Sequence, residues 1–304
     1  MPRRDHSDLT VAIIHFQTPG LLERCVESVR RAAPLARVLV IDTSEREPLG
    51  DGWQERHPGA ELKRQVNHSY AAAVNRGLAE CATPRFVQMN ADVFVEETTF
   101  DVLAQALEAS GAAMVGPLAR DGNGRLQRNG LPYRITQYLA RRGGWTEAPW
   151  LSGFLQYART DALRRVGPMD TSLRFYNEDL EWCLRLRRAG ETCVLVDHEV
   201  IHVGGASTAG SPAQLVEGLR GAYAVSVEHR HPLVSAVHRW GMYLYSRAMS
   251  SYGSPETRPA FTYLAEMLRR DQLRSPFAET LGKLAPDFPA VPPAPKGESS
   301  SIPG

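Results

Sequence analysis

The sequence predicts an α/β protein in which a mostly parallel, Rossmann-like sheet carries helices on both faces and a helical extension follows at the C-terminal side. Two observations carry this. Short apolar runs at 9–16, 38–41, 86–89 and 112–116 have the length and composition of strands buried on both faces. Between them apolar residues return at helical spacing, and strands that alternate with amphipathic helices build a parallel sheet.

The elements follow in order. Residues 9–16 form a strand that Pro19-Gly20 punctuates, and Leu21, Leu22, Cys25, Val26 and Val29 then share one helical face up to Pro34. A second strand, 38–41, ends in Asp42. A third, 62–66, precedes a helix marked by Tyr70, Val74, Gly77 and Leu78. The fourth, 86–89, ends in Asn90-Ala91-Asp92, and Phe100, Leu103 and Leu107 lie on a helix before the strand at 112–116. Asp121 to Gly124 reads as a tight turn, and 131–150 as a loop or mixed segment. A strand at 152–157, a short helix at 160–166 and a helix at 178–189 closed by Gly190 come next. Two strands, 192–196 and 200–203, complete the sheet, and 212–273 is helical. The tail from Pro286 is rich in Pro, Ser and Gly, so it is expected to be disordered. The division is therefore 1–210 for the α/β domain, 211–285 for the helical extension and 286–304 for the tail.

Thirty-five Lys and Arg against 34 Asp and Glu leave no charge excess to attract nucleic acid. No window approaches the ~20 apolar residues of a membrane span, and the run at 11–14 is too short for an export signal, so a cytoplasmic location is expected. Cys25, Cys81, Cys183 and Cys193 lack metal-type spacing and read as buried thiols.

In open sheets of this kind ligands gather beyond the carboxyl ends of the strands, where Asp42 and Asp92 stand. The first turn, Gln17-Thr18-Pro19-Gly20, lacks the dinucleotide G-x-G-x-x-G, and no phosphate-loop motif occurs. A bound diphosphate would then need another counter-charge, and a divalent metal on a strand-end carboxylate supplies one. Glu178 and Asp179 follow Asn177, a good N-cap residue, so the positive helix end is expected to favour their ionised forms. Glu181 and Arg185, spaced i, i+4, are expected to form a surface or supporting ion pair.

Five segments occur in a telling order: Asp42; Asn67-His-Ser-Tyr-Ala-Ala-Ala-Val-Asn75-Arg-Gly77; Asn90-Ala-Asp92; Asn177-Glu-Asp-Leu-Glu-Trp-Cys-Leu-Arg185; and His202-Val-Gly-Gly-Ala-Ser207. Together they resemble family 2 glycosyltransferases of the GT-A fold, in the rhamnosyltransferase-like branch, over residues 9 to 210. The resemblance implies inverting transfer of a sugar from a nucleoside-diphosphate donor to a hydroxyl of a glycan or lipid-linked acceptor, in polysaccharide biosynthesis and with Mn²⁺ or Mg²⁺. It implies donor contacts from Asp42, Asn67, Asn75, Asn90 and Asp92, with Asp42 on the base, and metal ligands in Asp92 and His202. Asp179 would be the catalytic base with Glu178 beside it, and Trp150, Ser152 and Gly153 would border the acceptor.

The chain departs from the family pattern at several places. His15-Phe16-Gln17-Thr18 replaces a Tyr-Asn turn, Thr43 an Asn, Ser69 a Gly, Asn90 the first Asp of D-x-D, and Glu181 a second Asp. The altered turn and Asn90 motivate a second reading, a non-catalytic protein that binds a nucleotide sugar or a glycan. Leu233, Val237, Trp240 and Leu244 form an apolar helical stripe near Arg239 and Arg247. Core packing or a homodimer contact is its first reading, and peripheral contact with the inner membrane face its second. His198, His229, His231 and His238 are expected at the surface or at helix caps.

Overall fold

The computed structural model describes residues 4–46, 48–50, 52–127, 130–204 and 211–289. It divides into two compact units, Met1–Ala209 with Thr280–Gly282, and Gly210–Glu279 with Lys283–Gly304.

The first unit begins with β1 (Leu9–His15), α1 (Pro19–Ala32), β2 (Arg37–Asp42), α2 (Gly52–Arg56), β3 (Ala60–Arg64), α3 (Tyr70–Glu80) and β4 (Arg85–Asn90). It continues with β5 (Val93–Phe94), α4 (Thr99–Ser110), β6 (Met114–Arg120), α5 (Gly130–Gly143), β7 (Trp145–Glu147) and β8 (Leu155–Arg159). Helices α6 (Thr160–Val166) and α7 (Glu178–Arg188) lead to the last strand, β9 (Cys193–His202). The strands join one sheet in the order β3-β2-β1-β4-β8-β6-β9-β5, with β7 paired to β9. Strands β3, β2, β1 and β4 are parallel neighbours, and so are β6 and β9. Strand β8 runs against both β4 and β6, so it joins the two parallel blocks.

Alternation along the central strands feeds two cores. Leu9, Val11 and Ile13 of β1 and Val38 and Val40 of β2 pack with Leu22 and Val26 of α1, Trp53 of α2 and Phe100 of α4. Ala12, Ile14, Leu39 and Ile41 point the other way, into Val74 and Leu78 of α3, Leu163 of α6 and Trp182 and Leu186 of α7. Gly77 permits this second face to close, because a Cβ there would lie 2.6 Å from the Ala12 Cβ. All four cysteines are buried and free.

Several expectations need correction. Of the two readings of 131–150, loop or mixed segment, the second holds: α5 and β7 occupy most of it. The buried side of α5 uses Tyr133, Thr136, Gln137 and Ala140, so polar residues stand where an apolar spacing signal would have to be. The strands at 192–196 and 200–203 are one strand, β9, whose polar middle, Asp197-His198-Glu199, falls at a register shift against β6, between the Gly116–Leu195 and Leu118–Glu199 pairs. The third strand lies two residues earlier than the apolar pattern suggests.

The second unit contains α8 (Pro212–His229), α9 (Pro232–Tyr252) and α10 (Arg258–Arg269). Ser211 and Gln214 close a capping box on α8, and His231 caps α9 by accepting from the Leu233 N–H. Phe288 is buried and meets the Tyr263 ring edge-on at 5.1 Å. The tail therefore packs at least to that residue, against the expectation of disorder from Pro286; 290–304 lie outside the described residues. The apolar stripe of α9 is not core, since Leu233, Val237, Trp240 and Leu244 are all exposed.

Candidate functional site

Strand pairing assembles the first half of the site. The antiparallel match of Val93 in β5 with His202 in β9 carries the end of the Asn90-Ala91-Asp92 turn across to a residue more than a hundred positions away. His202 Nε2 stands 3.5 Å from Asp92 Oδ1 and 3.4 Å from Asn90 Nδ2. The Gly204 N–H donates to Asp92 Oδ2 at 3.0 Å, and the Phe154 ring stacks on the imidazole at 5.1 Å.

The tautomer of His202 follows from a neighbour. Gln127 Nε2 donates to the His202 carbonyl at 2.7 Å, and because a carbonyl only accepts, the Gln127 amide has a single orientation. Its Oε1 then accepts from His202 Nδ1 at 2.8 Å. The Nε2 lone pair is left facing the Asp92 carboxylate. Burial also lowers the His202 pKa, against the opposing pull of the Asp92 charge. Asn90 Nδ2 donates weakly to His202 Nε2 at 3.4 Å, while Nε2 and the Asp92 carboxylate oxygen, both acceptors 3.5 Å apart, repel unless a cation lies near them; Asn90 Oδ1 is buried without a hydrogen-bond partner. Donors of this kind fit a hard or borderline divalent ion.

The second half of the site surrounds Asp179. Its Oδ2 accepts from the Gly153 N–H at 2.7 Å and its Oδ1 from the Leu180 N–H at 2.7 Å. Each oxygen keeps a further lone pair. Burial raises its pKa, and the backbone donors and the nearby Trp150 indole offset only part of that. This corrects the expectation that the helix end would decide the charge: desolvation outweighs it. Asn177 makes no side-chain cap either. It and Tyr176 both adopt left-handed backbone, with φ of 71° and 68°, which turns the chain sharply into α7. Glu178 is buried beside Asp179.

A polar network inside the sheet holds the Gly153 loop. Gln88 and Gln156 face each other across β4 and β8. Gln88 Nε2 donates to Gln156 Oε1 at 3.2 Å and to the Gly153 carbonyl at 2.9 Å, while Gln156 Nε2 donates to the Leu151 carbonyl at 2.8 Å. The Tyr70 hydroxyl reaches both Gly153 O, at 2.9 Å, and Gln88 Oε1. Burial, followed by the charges of Glu178, Asp179 and Asp92, pushes the Tyr70 phenol well above its usual range, so it remains a donor. Gly153 and Phe154 thus connect the two halves: one holds Asp179, and the next stacks on His202.

Other expected site residues have different places. Asp42 is buried, and its carboxylate is committed within the protein: Oδ1 meets His15 Nδ1 at 3.0 Å and the Ser44 N–H at 3.0 Å, and Oδ2 accepts from the Leu49 N–H at 2.8 Å. These bonds shape the loop after β2. The departures at 15–18 and 43 form one connected arrangement. Thr18 N–H donates to His15 Nε2, Thr43 N–H and Oγ1 donate to the His15 carbonyl, and the N–H of left-handed Gln17 donates to Ser44 Oγ. Burial by itself would raise the Asp42 carboxyl, but its hydrogen bonds hold it below the ordinary carboxylate value.

Asn75 is likewise engaged within the protein. Its amide clamps the Met169 backbone, donating to the carbonyl at 2.9 Å and accepting from the N–H at 2.8 Å. Arg185 holds the same loop from α7 through the carbonyls of Val166 and Pro168 while it binds buried Glu181, so that pair is internal rather than superficial. Asn67 is buried just ahead of Ser69, and Ser69, in place of a Gly, caps α3 by accepting from Ala72 N–H. Gly153 serves through its backbone, and Trp150 packs on Tyr133 with ring centroids 5.1 Å apart. Ser152 is half-buried between them in sequence. Residues 205–207 of the His202 motif lie outside the described residues.

Sequence reasoning missed Gln127 and Gln88. A glutamine inside the all-buried run 86–89 was a signal in itself, because a buried amide requires partners. Gln127 sits outside any element and gave none.

A mostly parallel sheet with an Asp-containing turn and a histidine converging at its carboxyl edge, beside a carboxylate at a helix start, defines a glycosyltransferase of the GT-A fold. The chain belongs to glycosyl transferase family 2, whose sequence model matches residues 10–167. Its likeness is to the rhamnosyltransferase-like branch. It is 26% identical over 262 residues to the N-acetylglucosaminyl-diphospho-decaprenol L-rhamnosyltransferase of Mycobacterium tuberculosis, in strains CDC 1551 and H37Rv, covering 73% of this chain and 85% of that protein. Among solved structures it is similar to GalNAc-T7 with UDP, GalNAc and Mn²⁺, with a TM-score of 0.61 and 16% identity over 86% of this chain and 56% of that one. It is also similar to S. aureus TarS, with a TM-score of 0.57 and 11% identity over 86% of this chain and 48% of that one. The chain therefore spans about half the length of these structures, and the likeness is one of fold.

Proposed function

We propose that this protein is an inverting, divalent-metal-dependent glycosyltransferase that moves a sugar from a nucleoside-diphosphate donor to a hydroxyl of a glycan or lipid-linked acceptor. The observation that carries the reading is the convergence of Asp92, His202 and Asn90, with the His202 lone pair turned inward by Gln127, next to the Gly153 loop that holds Asp179. Mn²⁺ in the GalNAc-T7 structure and the lipid-diphosphate acceptor named for the mycobacterial relative support it.

Asp92 and His202 would hold the metal, with Asn90, whose Nδ2 lies 3.4 Å from His202 Nε2, at the position of an acid in the family pattern. When bound, the metal supplies charge stabilisation to the departing diphosphate. The protein's own residues do the rest. Asp179, fixed by two backbone N–H groups, offers its spare lone pairs to the acceptor hydroxyl and takes the proton as the new bond forms. A carboxylate whose pKa burial has raised is a stronger base than one in water. Glu178, buried next to it, shapes the acceptor side, and Trp150 and Ser152 border the same loop. A single displacement with one base and no enzyme nucleophile inverts the anomeric centre.

A screen of nucleotide sugars for released nucleoside diphosphate, with Mn²⁺ or Mg²⁺ and then with excess chelator, tests this reading. Metal-dependent release that Asp92→Ala abolishes, with loss of Mn²⁺ binding by calorimetry, is expected. Full release in chelator would remove the metal from the proposal, and a product anomer matching the donor's by NMR would remove inversion. Donor binding with no release under any condition would favour the non-catalytic binder that Asn90 suggests.

A further inference from the structure

Helix α9 is built inside out. Its buried residues are Ser235, Met242 and Ser246, whereas Leu233, Val237, Trp240 and Leu244, one stripe at helical spacing, are 68%, 67%, 52% and 65% exposed. Ser235 Oγ donates to the Ser226 carbonyl at 2.6 Å, so small polar groups meet α8 while the large apolar groups face away. Exposed Val234, Tyr245 and Tyr252 widen the stripe on one side, and by spacing exposed Arg247 borders it on the other. A contiguous apolar patch of this kind marks a surface that something covers.

Charge selects the occupant. From 229 to 255 the chain has no Asp or Glu; Arg239 is held by Asp271 and the Leu268 carbonyl, while Arg230 and Arg247 are exposed. A second copy docked on this stripe across a two-fold axis would bring Arg247 near its counterpart, with no carboxylate on the helix to pair either. A bilayer with anionic headgroups supplies both the missing negative charge and an apolar depth. Trp240, Tyr245 and Tyr252 have the mixed polar and apolar rings that favour that boundary. Among the described residues no helix is long and apolar enough to cross a membrane, so α9 would lie along the surface.

We propose that α9 docks this protein on an anionic bilayer surface, laying Leu233, Val237, Trp240 and Leu244 into the boundary between headgroups and acyl chains with Arg247 at the phosphates. The inference rests on α9 alone and is independent of the reading of the acceptor. It is tested by flotation of the full chain with phosphatidylcholine vesicles, with and without phosphatidylglycerol, against the double variant Trp240→Gln, Leu244→Gln. Both side chains are exposed, so circular dichroism and melting should match the parent. The parent should float with the anionic vesicles, less so in high salt, and the variant should bind at least about tenfold more weakly. No flotation of the parent, equal flotation on neutral vesicles, or a variant that floats like the parent would overturn the proposal. A concentration-dependent dimer dissolved by the variant, without vesicle binding, would assign the stripe to a second copy. Flotation seen only after removal of 290–304 would assign it to that segment.

Discussion

The backbone N–H of Gly153 donates to Asp179 Oδ2 at 2.7 Å, and a Cβ on Gly153 would stand 3.2 Å from the Asp179 Cβ and 3.3 Å from that oxygen. The two residues, one in the loop before β8 and one in the first turn of α7, are therefore fitted to each other, and no side chain enters between them without moving one.

Gly153→Ala should displace the Asp179 carboxylate by a few tenths of an ångström. Misplacement by ~1 Å costs turnover about 10²-fold, so a smaller loss is expected. Steady-state kinetics should show a fall in kcat with donor binding almost unchanged; an unaltered kcat would mean that Asp179 is not the base.

Asp179→Asn should lower turnover by about 10² to 10⁴, the range for a lost general base, while donor affinity holds. Glu178→Gln should be milder. Because burial raises the Asp179 pKa, the acid limb of kcat/KM should fall at a pH above the ordinary carboxylate value of about 3.9. A pH profile that stays flat into that range contradicts the assignment, as does a Glu178→Gln variant weaker than Asp179→Asn.

Gln127→Leu removes the group that turns the His202 lone pair toward Asp92. Losses of this kind lower metal affinity by about 10- to 100-fold. Calorimetric titration with Mn²⁺ reads this directly, and saturating metal should restore most turnover. Affinity equal to the parent's would show that His202 is not a ligand.

Asp42 is held below the ordinary carboxylate value, so it contributes stability above its unfolded pKa that is lost as pH falls through the folded one. Asp42→Asn should therefore lose stability relative to the parent at neutral pH, and the gap should close toward pH ~3 and below. Urea melts at several pH values measure it. A gap that widens in acid would reverse the sign and refute the role assigned to the His15–Asp42 contact.

Phe288→Ala should destabilise the second unit by less than the ~3–5 kcal/mol of a fully enclosed phenylalanine, since it packs at an edge against Tyr263. Removal of the chain from Pro286 should cost at least as much. A thermal melt of the truncation that overlays the parent's would restore the expectation of an idle tail.

The sequence by itself determined the order of the main strands and helices through residue 120, without the short α2 and β5, and the α7 position of Glu178 and Asp179. Period-two and helical spacings are local, and they survive wherever a face is apolar throughout. They failed at α5, whose buried side includes Thr136 and Gln137, and at the polar middle of β9. Strand direction was equally invisible: nothing in 155–159 distinguishes the reversed β8 from its parallel neighbours.

The ordered motifs named Asp92, His202 and Asp179, but only the tertiary structure decided what surrounds them. It joined Asp92 to His202 through the β5–β9 ladder, set the His202 tautomer through Gln127, and tied Asp179 to Gly153. It also turned Asp42 and Asn75 inward, where their hydrogen bonds go to His15 and Met169. The physical reason is that a side chain's identity fixes its donors and acceptors, while burial and the partners brought from distant segments decide which way they point and what charge they carry.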